Sequence, residues 1–166
     1  MAETIYSVDT SAIVDLRFYP EGVMAPIWEG LGTLVKKGRL ISVPQAYAEL
    51  KDGHGPGNDW ARKHRRIFKA LRQAECDLAK EIINKYPKLS DHNADRDDAD
   101  PYIIAQALAG QEMEGDHLPG LENRKFIVVA HERGFGLSRM EGVCKVLKVA
   151  YMDLPKLFEA EGWKLK

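Results

Sequence analysis

The chain has 166 residues, of which 45% are hydrophobic and 30% are charged, and this composition is typical of one globular domain with a buried core. Its net charge is −1 at pH 7, so no overall field attracts it to nucleic acid or membrane, and affinity for a polyanion needs a local patch. The apolar runs are too short to span a membrane and only two cysteines are present, so we expect a cytoplasmic protein without a disulfide framework.

The first predicted strand ends in a carboxylate that two hydroxyl residues follow. Residues 5–8 are a short, β-branched apolar run typical of a strand inside a sheet, and Thr10 and Ser11 signal the start of a helix. Asp9 therefore lies at the carboxyl end of a strand, where open α/β sheets bind ligands. The same position also suits a helix N-cap, and both interpretations stay open. The segment lacks the second aspartate of a haloacid-dehalogenase phosphatase, which disfavours that class of hydrolase.

The next predicted elements are a helix, a short strand and a second helix. Pro26 opens the first helix, which ends at Gly38 after a basic last turn. Residues 40–43 form the strand. Pro44 then starts the second helix, and Glu49 lies on the flank of its apolar stripe.

A long helical pattern covers residues 59–86, and the exposed positions near its middle are basic without intervening acids. Such a face is usually only solvated, but the absence of acids makes a phosphate track worth testing. The candidate RNA-binding residues on this face are Arg62, Arg65, Arg66 and Lys69.

The acidic segment 91–100 precedes another predicted helix, which Asp100 is expected to cap. Its first acids have the spacing of a calcium loop. However, Arg96 and Tyr102 stand where an EF-hand needs Gly and Glu, so we reject an EF-hand. Asp98 is kept as a candidate supporting residue for a nearby site.

Residues 126–130 form a third buried strand, which His131 and Glu132 follow. A fourth strand lies within residues 146–152, and a last helix follows it. A lone histidine after a strand is more often a turn residue than a base, so we assign His131 no catalytic role. Short apolar strands that alternate with helices predict a small doubly wound α/β domain, with a parallel sheet of about four strands and helices on both faces.

Four acids are expected to meet at the carboxyl end of this sheet. Asp9 and Glu132 follow the first and third strands, and they face one crevice if these strands are neighbours where the winding reverses. Glu49 and Asp100 lie in the first turns of helices, and their side chains can point into the same crevice. Such carboxylates raise one another's pKa unless a cation intervenes, and oxygen ligands suit Mg²⁺ or Mn²⁺.

In four places the sequence resembles the PIN domain, the fold of metal-dependent ribonucleases that includes VapC-type toxins. The segments that carry the resemblance are Val8-Asp9-Thr10-Ser11, Tyr47-Ala48-Glu49-Leu50, residues 99–105 and residues 127–132. The resemblance extends over the whole chain and is greatest to a PIN-like branch of unassigned function.

The resemblance implies an endoribonuclease that hydrolyses phosphodiester bonds of RNA with one or two Mg²⁺ or Mn²⁺ ions and no side-chain nucleophile. The residues that it implies as metal ligands and catalytic residues are Asp9, Glu49, Asp100 and Glu132, with the hydroxyl of Thr10 or Ser11 in support. It further implies a homodimer and, as in a toxin–antitoxin pair, an antitoxin protein as partner.

Two positions depart from the family pattern. Ala130 stands where the family usually has Thr or Ser, and Glu132 stands where it often has Asp or Asn. The alternative is therefore a catalytically inactive PIN-like module that binds RNA or a protein partner.

Overall fold

The computed structural model describes residues 3–89, 98–115, 124–131 and 136–164. These residues form a four-stranded, all-parallel sheet with helices on both faces, which confirms the predicted fold class. The strands are β1 (Glu3–Val8), β2 (Leu40–Ile41), β3 (Arg124–Val129) and β4 (Ala150–Met152). The α-helices are α1 (Thr10–Val14), α2 (Ala25–Lys36), α3 (Pro44–Leu50), α4 (Pro56–Lys63), α5 (Gln73–Lys85), α6 (Asp100–Gly115), α7 (Met140–Val146) and α8 (Leu154–Ala160).

The strand order in the sheet is β2-β1-β3-β4, so β1 lies between β2 and β3. The register pairs Val8 with Val129, which brings the carboxyl ends of β1 and β3 to the same level. The chain leaves β1 for β2 on one side and later returns to add β3 on the other side. The winding therefore reverses between β1 and β3, where doubly wound sheets open a crevice for ligands.

The core consists of two apolar clusters, one on each face of the sheet. Ile5 and Val128 face the cluster that contains α5, α6 and α7, whereas Tyr6 and Val129 face the cluster that contains α1, α2 and α8. This division follows from the alternation of side chains along a strand. Because both faces of β1 and β3 are covered, their sequences are continuous apolar runs rather than alternating ones.

A buried polar network joins the sheet to α6. Ser7 Oγ donates to Gln106 Oε1 at 2.7 Å, and Gln106 Nε2 donates to the Ser42 carbonyl at 2.6 Å. Ser42 Oγ in turn donates to the Val8 carbonyl at 2.7 Å. The network fixes α6 against the carboxyl ends of β1 and β2, and so positions the residues that begin this helix.

The single long helix predicted over residues 59–86 is wrong. The chain instead forms α4, a 3-10 helix over Arg65–Ile67, an irregular segment and then α5. The interruption has a tertiary cause, since Ser42 N donates to the Ile67 carbonyl at 2.8 Å and Lys69 N donates to the Ser42 carbonyl at 3.1 Å. The segment after Ile67 thereby adds to the edge of the sheet beside Ser42, and these bonds replace helical ones.

No helix within the described ranges is both long and apolar enough to cross a membrane.

Candidate functional site

Asp9 lies directly after β1, at the point where the winding of the sheet reverses. Its backbone N donates to the Val129 carbonyl at 2.8 Å, which ties it to the end of β3. Its Oδ2 accepts hydrogen bonds from Ser11 N at 3.1 Å and from Ser11 Oγ at 2.7 Å, so this oxygen caps α1. The side chain is buried, and its Oδ1 has no hydrogen-bond partner among the described residues.

The environment of Asp9 disfavours its negative charge. Burial, together with the negative charge of Glu49, raises the pKa of this carboxyl from 3.8 to about 6, against the opposing effect of the hydrogen bonds from Ser11. A carboxylate in this position costs free energy because one oxygen has lost water without gaining a donor. A cation at Oδ1 would remove that cost.

Glu49 lies on α3 and joins two other elements of the site. Its Oε2 accepts a hydrogen bond from the Thr10 hydroxyl, and its Oε1 accepts one from Ala99 N at 3.0 Å. The two hydroxyls predicted to support the site therefore have different partners. The Ser11 hydroxyl donates to Asp9, whereas the Thr10 hydroxyl donates to Glu49.

Asp100 is the first residue of α6, which corrects the prediction that it would be the N-cap. Asp98 Oδ1 accepts a hydrogen bond from Asp100 N at 3.3 Å, and Glu49 accepts one from Ala99 N, so these two acids serve the first amides of the helix instead. The Asp100 carboxyl is half-buried. Its charge adds to burial in raising the pKa of the Cys144 thiol on α7 to about 12.

The space at the carboxyl ends of β1 and β3, flanked by Asp9, Glu49 and the N-terminus of α6, is termed the acid crevice below. Glu132, the fourth predicted acid, lies outside the described residues. The chain that leads to it runs along the acid crevice, since His131 N donates to Ser11 Oγ at 2.9 Å. The hydroxyl of Ser11 thus links Asp9 to the segment after β3.

The sequence indicated no partner for His131, and the structure supplies one. Its Nδ1 lies 3.0 Å from Oδ2 of Asp15, a buried residue at the start of the 3-10 helix over Asp15–Phe18. The imidazole is half-exposed and held in one orientation at the rim of the acid crevice. No local pattern marks this pair, because it depends on the pairing of β1 with β3.

The donor set in the acid crevice fits a hard cation that keeps most of its water ligands. Asp9 offers an oxygen without a donor, and Glu49 lies close enough to interact with it electrostatically. Mg²⁺ commonly binds proteins through one or two carboxylates and completes its shell with water and phosphate oxygens. Within the described part of the chain, no three His, Cys, Asp or Glu side chains are arranged to hold one ion, so these acids alone form no closed cage.

The four basic residues predicted to bind RNA do not share one helical face, because the predicted helix is broken. Arg62 Nη1 donates to the carbonyls of Lys51 and Gly53, each at 2.9 Å, and Nη2 pairs with Asp59, so the guanidinium of Arg62 holds a loop. Arg65 and Arg66 are exposed in the 3-10 helix.

Arg65 and Lys69 also have different surroundings. The Arg65 guanidinium lies 5.1 Å from the centre of the Tyr47 ring. Lys69 follows the 3-10 helix, and it lines a cavity together with Ile5, Ile41 and Phe126.

The chain matches the model of a family described as a domain of unknown function, DUF4411, over residues 6–165, and it belongs to that family. The match runs from the middle of β1 to beyond α8. A comparison with curated proteins gave no match.

Proposed function

We propose that this member of the DUF4411 family is a Mg²⁺- or Mn²⁺-dependent ribonuclease that hydrolyses phosphodiester bonds of RNA. The observation that carries the proposal is the buried Asp9 carboxyl, with an oxygen that lacks a donor within the described residues. Buried polar atoms are nearly always satisfied, and an exception at a ligand-binding edge of a sheet points to a missing ligand. A divalent cation is the ligand that suits two neighbouring carboxylates.

The resemblance to the PIN domain supports the same proposal. Asp9 follows β1, Glu49 lies on the helix after β2, and Asp100 begins a later helix, and these are the element types on which the resemblance expects metal ligands. We propose Asp9, Glu49, Asp100 and Glu132 as the residues that hold the ion.

When bound, the ion would lower the pKa of a water molecule and offset the charge of the scissile phosphate. The contribution of the chain is to orient the ligands beforehand. Ser11 holds Oδ2 of Asp9 and leaves Oδ1 for the ion, while Thr10 and Ala99 N fix the carboxylate of Glu49. Without a cation, the same acids would repel the phosphate groups of RNA.

A second candidate function is a non-catalytic module that binds RNA or a protein partner. It is favoured by the engagement of both Glu49 oxygens in hydrogen bonds, and by the absence of a three-ligand cluster in the described ranges. The two candidates differ in whether divalent metal is required for anything that the protein does.

The test is cleavage of end-labelled single-stranded RNA with Mn²⁺, with Mg²⁺ and with EDTA. We expect cleavage only with metal, and a loss of activity of at least about 100-fold in Asp9→Asn. Even the residues that hydrogen-bond to metal ligands commonly change metal affinity or activity by about 10–100-fold. Asp153→Asn is the matched control, because Asp153 also follows a strand and caps a helix through Oδ1, which accepts from Lys156 N.

Cleavage that persists in EDTA would contradict the proposed mechanism. If no RNA is cleaved with Mn²⁺, the binding-module candidate is favoured. A toxin role, an antitoxin partner, a homodimer and a cytoplasmic location stay predictions. Growth arrest on expression of the wild type, but not of Asp9→Asn, would support the toxin role.

A further inference from the structure

A cavity with aromatic walls lies between α2, α4 and the loop that precedes α2. Its volume is about 490 Å³, which is within the range for ligand sites. Trp28 of α2 and Trp60 of α4 line it, together with Pro20, Pro56 and His64, the residue that follows α4. We term it the tryptophan cavity.

The protein fixes the orientation of the aromatic rings in the tryptophan cavity. Trp60 is buried, and the centre of its ring lies 4.7 Å from the centre of the His64 ring. Trp28 is half-buried, and its Nε1 donates to the Tyr19 carbonyl at 2.6 Å. Rings that are already ordered lose little conformational entropy when a ligand stacks on them, so these walls favour a flat ligand.

The charged residues of the tryptophan cavity favour an occupant without net charge. Asp59 pairs with Arg62. Glu21 and Lys63 have opposite charges, and neither has an ion-pair partner among the described residues. A nucleobase is flat, has no net charge and presents both donors and acceptors on its edge.

Cations continue along the surface beyond the wall of the tryptophan cavity. Arg65 and Arg66 follow His64 in the 3-10 helix and are exposed, and residues 61–72 include no acid. Burial, together with the charges of Arg66 and Lys63, lowers the pKa of His64, so both cations lie near this ring. A row of cations beside aromatic rings is the arrangement with which proteins hold single-stranded nucleic acid.

The tryptophan cavity is close to the acid crevice because α4 packs on α1. Gly57 of α4 fits against α1 so closely that a side chain there would overlap the Ile13 carbonyl oxygen. Ile13 is four residues from Asp9, or about 6 Å along α1, and Pro56 of the tryptophan cavity is the neighbour of Gly57. Successive nucleotides of a strand are at least about 3.4 Å apart, so an RNA of about six nucleotides can reach from one site to the other.

We propose that the tryptophan cavity binds one unpaired base of single-stranded RNA, while Arg65 and Arg66 contact the neighbouring phosphates. Stacking on an aromatic ring tolerates any base, because every base has a flat face, whereas a base within a duplex cannot leave its stack without cost. The substrate class is therefore single-stranded RNA. The proposal rests on the proposed function for the identity of its ligand, but it involves neither the metal nor the acids.

The experiment follows the tryptophan fluorescence of the whole chain in EDTA as RNA is added, so that failure here and failure of the ribonuclease proposal are distinguishable. The probes are hexaadenylate, a hexamer with the same backbone but without bases, an RNA duplex of twelve base pairs, and adenosine. We expect hexaadenylate to quench the fluorescence. It should bind at least about tenfold more tightly than each of the other probes, as for the gain of one base–aromatic stack.

Variants of Trp28 test the stacking surface. Trp28→Ala should weaken hexaadenylate binding about tenfold. Trp28→Phe should retain most of the affinity, because it keeps an aromatic ring although it loses the hydrogen bond to the Tyr19 carbonyl. Trp163→Phe is the matched control and should leave the affinity unchanged, since Trp163 is also half-buried but packs against Gly30 and Phe158.

Equal affinity for hexaadenylate and the base-free hexamer would overturn the role of the base. Equal affinity for the duplex would overturn the choice of single strands, and equal affinity for adenosine would assign the tryptophan cavity to a free nucleoside instead of RNA. Equal losses in Trp28→Ala and Trp28→Phe would overturn Trp28 as a stacking surface. The absence of quenching by any RNA would overturn the whole proposal and favour a protein partner.

Melting curves establish whether the Trp28 variants are folded. The comparison of the four probes uses the wild type alone, so it decides the proposal even if Trp28→Ala does not fold.

Discussion

The two carboxylate oxygens of Asp9 have different environments, which makes the two interpretations that the sequence left open compatible. One oxygen caps α1, as expected for an aspartate at the start of a helix, and the other is buried without a donor in the described structure. The cap was predictable because strand end, carboxylate and helix start are adjacent in sequence. The unsatisfied oxygen was not, since it depends on burial by elements far away in the chain.

The raised pKa of Asp9 predicts an unusual pH dependence for the metal-free protein. Because burial raises this pKa from 3.8 to about 6, the folded state favours the protonated carboxyl. Stability from this group is therefore greatest below about pH 4 and is lost as the pH rises through about 6, the reverse of a salt-bridged aspartate. The loss amounts to roughly 3 kcal/mol, from two pKa units at 1.36 kcal/mol each.

The measurement is the free energy of unfolding in EDTA between pH 4 and pH 8, for the wild type and for Asp9→Asn. Other groups titrate in both proteins, so the difference between the two curves isolates Asp9. We expect the free energy of unfolding of the variant to increase relative to that of the wild type as the pH rises. Two parallel curves would show that the folded state does not raise the pKa of Asp9.

The helices and strands show how far local patterns determine the fold. Pro26 and Gly38 mark the limits of α2 to within two residues, and the apolar residues of α2 are buried as their spacing predicts. The prediction of one continuous helix fails in the region after α4, because this region is determined by the pairing of Phe68 with Ser42, which are 26 positions apart. No helical periodicity reports a contact of that kind.

The polar network around Gln106 is predicted to hold α6 in place. In Gln106→Met, the Ser42 carbonyl loses its 2.6 Å donor and Ser7 Oγ loses its acceptor, although Ser7 retains the Ile103 carbonyl. We expect a loss of about 1–2 kcal/mol in the free energy of unfolding. Chemical denaturation measures it. Gln73→Met, at an exposed helical position, is the control and should change stability by less than about 0.5 kcal/mol.

A loss in Gln106→Met no larger than in Gln73→Met would mean that the network contributes nothing beyond packing.

The exposed 3-10 helix tests the predicted RNA face. If RNA lies across Arg65 and Arg66, changing both to Gln should reduce the slope of log affinity against log salt by between about one and two. Arg62→Gln should instead lower stability, because its guanidinium holds the carbonyls of Lys51 and Gly53. Binding of single-stranded RNA in EDTA at several salt concentrations gives the slopes. An unchanged slope in the double variant would remove this surface from the proposal.

Over the whole molecule, a net charge of −1 conceals a local concentration of acids. Acids gather at the carboxyl end of β1, where the buried Asp9 interacts electrostatically with Glu49. The acid crevice was predictable from the order of motifs along the chain. The cavity that Lys69 and Arg124 line was not, because these residues come from distant segments that only the fold brings together.

The central claim, that Asp9 helps to hold a divalent cation, is tested most directly by melting temperature with EDTA and with millimolar Mn²⁺. A ligand at 100 times its dissociation constant stabilises the native state by about 2.7 kcal/mol, or about 5–10 °C for a chain of this size. We predict a rise of this order for the wild type and for Asp153→Asn. Asp9→Asn should melt higher than the wild type in EDTA and lose most of the rise with Mn²⁺. An equal Mn²⁺-induced rise in the wild type and in Asp9→Asn would contradict the proposed metal site.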